Sequence, residues 1–293
     1  MLAFIALVSV LAASAHGAHK PNLKVRFGLS VFDDVFIDMA KNIDEAIDRK
    51  WVKKDRPAGP AGLESLELWC PVEEYSFCTL FDDTGYIAGA QIGVAKKRVK
   101  STSLDLATTG FTSWTTTLNG SSIEYYTINL YFISAEILKT SKESRVSSRN
   151  PDMLAQHGFI WLTGFNGKLY PLSLDASLLG TANSDFTKQA CIPWMGQHYY
   201  YKMSKDTQCT ADAIFPWFPL VSGGQIIGMG SMSLLTYEVE KGVKDYFEHP
   251  TKGDVQMIVN SGPTCLYDLA DKGALTMHVY FIDGPRTVIC PLW

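Results

Sequence analysis

The chain of 293 residues lacks the short signatures by which most enzyme families announce themselves. It has no G-x-S-x-G, no P-loop, no G-x-G-x-x-G, no H-E-x-x-H and no EF-hand loop. Standard esterase, nucleotide-binding and zincin chemistries therefore have no support, although a site assembled from distant strands would leave no such mark. No C-x-x-C occurs, which argues against thiol redox catalysis and a cysteine zinc site. Charge of one sign is scarce: the formal net charge of −4 gives no footprint for nucleic acid. After the first residues no apolar run approaches the ~18 needed for a membrane span. No cofactor and no metal is expected from spacing.

What is present begins with the compartment. Leu2 to Ala13 is apolar, and the small residues Ser14-Ala15-His16-Gly17-Ala18 follow. This pattern reads as a secretory signal peptide, residues 1–17, cut after Ala15 or after Gly17. The amino terminus supplies its only positive charge. Residues 18–293 then form one exported domain, with a possible internal boundary near 140–156 at the polar stretch ending in Asn150-Pro151. Six cysteines in an exported chain imply three disulfides. Economy along hairpins pairs them locally, Cys70 with Cys78, Cys191 with Cys209, and Cys265 with Cys290. Asn119-Gly120-Ser121 is a glycosylation acceptor on an exposed loop.

Periodicity predicts an α+β fold, mostly antiparallel sheet and sandwich-like, carrying one long N-terminal amphipathic helix. Ser30 reads as its N-cap, and Phe32, Val35, Phe36, Met39, Ile43, Ala46 and Ile47 as its apolar stripe. Strands are predicted at 75–81, 86–94, 124–134, 159–163, 168–172, 255–259, 274–282 and 287–292, and short helices at 135–142 and 238–247. No fixed-period repeat is visible.

The densest stretch runs from Cys191 to Met232. Alternation puts Trp194, His198, Tyr200 and Lys202 on one strand face and Met195, Tyr199, Tyr201 and Met203 on the other. Imidazole, phenol and ammonium on one face are groups that abstract a proton beside a carboxylate. His198, Tyr200 and Lys202 are thus candidate catalytic residues, against the plainer reading of an ordinary surface strand. Lys96, Arg98 and Lys100, projecting together from a strand, could hold sulfated or uronate sugars; charge runs are more often solvated faces. Trp194 and Trp217 lie among prolines, where exposed rings stack on sugars, while most tryptophans fill cores. If cleavage follows Ala15, a terminal His16 could chelate copper with His157, His198, His249 or His278; an ordinary solvated histidine is the simpler view.

The leading expectation is an extracellular protein that binds a carbohydrate or other anionic ligand through an aromatic and cationic face. A secreted lyase or hydrolase acting on polysaccharide or glycoside through His198, Tyr200 and Lys202 is the alternative. A structural component of the extracellular matrix is the third.

Overall fold

The computed structural model describes residues 19–28, 35–242 and 244–290. Two antiparallel sheets face each other. One runs, in spatial order, β3 (Val52–Lys54), β4 (Glu67–Cys70), β5 (Phe77–Phe81), β6 (Ile87–Ala95), β9 (Ser121–Tyr131), β10 (Phe159–Thr163) and β11 (Leu169–Ser173). Its eighth strand, β8 (Thr112–Leu118), forms a hairpin with β9. The other sheet runs β12 (Phe186–Ile192), β13 (Gly196–Tyr201), β14 (Trp217–Ser222), β15 (Gln225–Ser233), β17 (Leu275–Ile282), β1 (Pro21–Arg26) and β2 (Phe36–Asp38). A small ribbon joins β7 (Val99–Thr102) to β16 (Leu235–Tyr237).

Side-chain alternation explains why the central strands are buried on both faces. In β17, Met277, Val279 and Phe281 enter the core between the sheets, whereas Tyr280 and Ile282 enter a second cluster on the outer face. In β9, Ile128 and Leu130 point inward and Tyr125 and Tyr131 outward. The sheets are tied by Phe132 edge-on to Phe281 and by Trp217, whose Nε1 donates to Thr163 O at 2.8 Å. The outer face of the second sheet is roofed by two helices, α5 (Lys252–Ile258) and α6 (Thr264–Lys272). Thr251 and Asp254 form a capping box that starts α5. The β8–β9 hairpin folds over the outer face of the first sheet, where Trp114 packs with Tyr75 and Tyr125.

The two sheets repeat one plan. A four-strand meander, β3 to β6 or β12 to β15, is followed in space by β9–β10–β11 or β17–β1–β2. Registers coincide: Gly89 faces Tyr131 as Gly228 faces Tyr280, and Thr127 and Thr276 follow in step. Both meanders carry an irregularity at the same place, after Leu80 and after Leu220. Both glycines are compulsory for one reason. A Cβ on Gly89 would stand 2.4 Å from Leu130 O, and one on Gly228 2.4 Å from Val279 O. The second copy is permuted, since the start of the chain supplies its last two strands. The repeat is therefore structural and has no constant sequence period.

Three expectations are corrected here. The long N-terminal helix is absent among the described residues: Phe36–Asp38 is a strand paired with Lys24–Arg26, and only Ile43–Asp48 (α1) is helical. Phe36 packs edge-on against Tyr280, so partners distant in sequence outweigh the local helical period. Asn42 caps the helix that forms, by accepting from Glu45 N, and Ser30 and Phe32 lie outside the described residues. The fold is thus mostly antiparallel sheet with short helices, the remaining three being α2 (Leu106–Thr109), α3 (Ala135–Leu138) and α4 (Lys142–Ser147). Residues 255–259, expected as strand, belong largely to α5, and no helix is described over 238–247.

The disulfides also differ from the local pairing. Cys70–Cys78 holds, but the others are Cys191–Cys290 and Cys209–Cys265, spanning 8, 99 and 56 residues respectively. Chain entropy gives a reason why long clips matter: closing the longest loop restrains the unfolded chain by ~5 kcal/mol, the shortest by ~2.5. In the polar stretch 140–156, Arg145 is buried against Asp82 and Asp83, while Leu154 and Ala155 join the core. The leader, its cleavage site and His16 lie outside the described residues.

Candidate functional site

The most unusual chemistry lies on the outer face of the second sheet, under α5. His198 on β13 and His278 on β17 are both fully enclosed, with 0% and 2% of their surface exposed. Phe218 on β14 reaches over β15 because Gly230 has no side chain; a Cβ there would meet the Phe218 ring at 2.0 Å. The three rings form a triangle, with centroids 5.6 Å (His198–Phe218), 5.3 Å (Phe218–His278) and 5.8 Å (His198–His278) apart. Tyr200 stacks on Phe218 at 4.7 Å.

Each imidazole is held from behind. His198 Nδ1 lies 3.0 Å from Gly196 O, so it donates there and leaves Nε2 with a free lone pair. His278 Nδ1 lies 3.0 Å from a carboxylate oxygen of Glu248, off the ideal hydrogen-bond axis. The other oxygen of Glu248 is 3.2 Å from the Arg26 guanidinium, and both residues are buried. Among the described residues at this site, Nε2 of His198, both ring nitrogens of His278, Nε and Nη1 of Arg26 and Oε1 of Glu248 have no hydrogen-bond partner. A largely enclosed chamber of about 20 Å³ is lined by both histidines, Tyr200, Phe218, Met232, Glu248 and residues of α5. Burial, with a smaller contribution from His278, drives His198 down to about 3, so its ring is neutral at neutral pH. Burial likewise raises the Tyr200 phenol far above its ordinary value.

The candidate catalytic trio is not brought together. His198 and Tyr200 share the chamber, but Lys202 leaves the strand at φ 42° and sits at the surface, 3.3 Å from Asp185. The cationic row is dispersed too, because residues 96–98 form a 3-10 turn rather than a strand. Arg98 is buried 2.9 Å from Glu74, Lys96 approaches Glu124 at 3.8 Å, and Lys100 contacts Glu238. Trp217 is wholly interior. Trp194 is half-buried in the β12–β13 turn, its N donating to Val288 O and the Arg286 guanidinium 5.7 Å from its ring. Asn119 occupies the exposed β8–β9 turn at φ 51°.

The alternating Thr276-Met277-His278-Val279-Tyr280 carries the same signal as the His198 strand, but alternation alone does not say that the two histidines share one chamber. Arg26, Met232 and Glu248 gave no local signal, since their partners lie far along the chain.

Open concavities lie elsewhere. Two adjoining clefts of about 330 and 380 Å³ share Asp175 at one end of the sheets. A polar groove of about 630 Å³ between β3 and β8 is lined by Lys53, Lys54, Thr115, Thr117 and Ser122. No helix among the described residues is long and apolar enough to cross a membrane. Compared with protein-family models, curated proteins and solved structures, the chain matches none of them.

Proposed function

We propose that the protein is an exported binding protein whose paired end clefts take a small ligand with an apolar body and a hydrogen-bond-donating or cationic head. The observation that carries this is the presence of exposed apolar side chains around two adjoining clefts. Met153, Phe159 and Leu178 are 39%, 44% and 53% exposed, and all three line the two clefts. Such side chains are costly to leave in water, and contiguous apolar surface marks a binding site. Leu154, Leu174, Ile226 and Phe281 line the larger cleft, while Asp152 and Asp175 bring carboxylates to it. Each cleft falls in the size range of small-molecule sites. Three disulfides suit an oxidising compartment.

Titration with a dansylated alkylamine, with a dansylated fatty acid as comparison, tests the reading. Saturable binding of the amine at micromolar concentration, weakened about tenfold or more by Met153→Asp, is expected. Equal binding of both probes would refute the head-group assignment, and binding of neither would refute the cleft. A second reading places a sulfated or uronate sugar in the groove between β3 and β8, where two lysines and four hydroxyl side chains meet beside Asp55. It ranks lower because Lys53 is already paired with Glu67 and Lys54 donates to Thr117 O. Retention on a heparin matrix, lost in Lys53→Ser/Lys54→Ser, would favour it.

A further inference from the structure

We propose that the chamber beneath α5 is a binding site for a single copper(I) ion, with Nε2 of His198, Nε2 of His278 and the Met232 thioether as donors. The inference is independent of the end clefts. It starts from the two orphaned lone pairs. Buried polar atoms are nearly always satisfied, so two unpartnered imidazole nitrogens in one chamber call for an occupant. The arrangement behind His198 is the one that prepares a histidine for a metal. The His198 Nδ1 donates to a main-chain carbonyl, which fixes that ring and leaves its Nε2 as the donor, while the His278 Nδ1 lies 3.0 Å from the Glu248 carboxylate without an aligned hydrogen bond.

The donor set selects the ion. All six cysteines are in disulfides, and among the described residues no three His, Cys, Asp or Glu side chains gather as a metal group. Zinc, which takes four such ligands in structural sites, is therefore poorly served. Two imidazoles and a thioether form a soft, neutral, low-coordinate set, which suits copper(I). Charge points the same way. Arg26 and Glu248 already balance each other behind His278, so a monovalent ion adds one buried positive charge and a divalent ion two. The chamber, about 20 Å³ with apolar walls from Phe218, Val255, Ile258 and Val259, has room for one small ion or one water. Phe218 reaches that wall because Gly230 has no side chain, and residues of α5 cover the chamber.

The test uses the full secreted chain under anaerobic conditions, competing with a chromophoric copper(I) chelator. One equivalent of copper(I) is expected to move to the protein, with zinc(II) not retained. X-ray absorption should then show nitrogen scatterers together with one sulfur. Met232→Leu conserves volume, so the fold survives; it should remove the sulfur scatterer and weaken binding about tenfold. His198→Gln/His278→Gln should weaken it more than about a hundredfold. A His16→Ala/His19→Ala variant should keep the ion, which separates this site from chelation at the amino terminus. A wild-type chain that takes up no copper(I) holds only a water there, and the proposal falls. It falls equally if the terminal variant loses the metal, or if Met232→Leu leaves both sulfur scattering and affinity unchanged.

Discussion

Glu248→Gln should cost the fold about 3–5 kcal/mol, although it removes one charge and changes almost no volume. The magnitude follows from enclosure. The Arg26 and Glu248 side chains are 3% and 1% exposed, 3.2 Å apart, so a neutral amide at 248 strands a guanidinium with no water to solvate it. The same chain offers a control. Lys100 and Glu238 also touch, but their side chains are 56% and 60% exposed, and Glu238→Gln should cost no more than ~1 kcal/mol. Converting both buried partners, Arg26→Met with Glu248→Leu, should cost well below the sum of the single changes, because neither charge is then left alone. Urea unfolding of the oxidised protein at pH 7 reads these variants together with the singles Arg26→Met and Glu248→Leu, provided the denaturant slope stays constant. A loss under ~1 kcal/mol for Glu248→Gln, or a double variant matching the sum of the singles, would refute the view that the pair is sealed and mutually dependent.

Two further outcomes follow from burial and close contact. His198 is held down to about 3, against an ordinary value of 6.5, so the unfolded chain takes up a proton that the folded one refuses. Stability should therefore be full above about pH 6.5 and fall as the solution is acidified, by ~2 kcal/mol at pH 5 from this group alone; His198→Gln should flatten that part of the profile measured by thermal melting, and an unchanged profile would contradict it. Gly89→Ala and Gly228→Ala should each destabilise by more than ~2 kcal/mol, because the new carbon collides with a main-chain oxygen that cannot move aside. Near-equal losses in the two variants are expected from their equivalent positions, and a clear inequality would weaken the equivalence of the two sheets.

Much of the sheet was legible because alternation is a local property. Residues 159–163 and 274–282 announce themselves as strands by composition, and Asp82-Asp83-Thr84-Gly85 announces the turn between β5 and β6. The N-terminal helix was misread for an equally physical reason. Phe36 and Met39 fit a helical stripe, but Phe36 finds Tyr280, and Lys24–Arg26 supply a strand edge that no local window contains. Disulfide partners fail in the same way, since Cys191 and Cys290 become neighbours only after the second sheet closes. In the chamber, the central histidine and tyrosine were visible as a dense strand. Their true companions, Arg26, Met232, Glu248 and His278, come from four other places in the chain, and Lys202 was lost because the backbone turns before it.

The permuted plan of the second sheet fixes an order of events at birth. Asn22 bonds Asp283, 261 residues away, and β1 can find its neighbour only when nearly the whole polypeptide has emerged. The leading β1–β2 pair must wait for β17 while the first sheet, whose strands are near neighbours in sequence, is free to assemble. Contacts of such separation slow folding. A chain built this way spends its longest vulnerable interval with one sheet edge uncovered, and the late Cys191–Cys290 clasp fastens the region where the last strand closes.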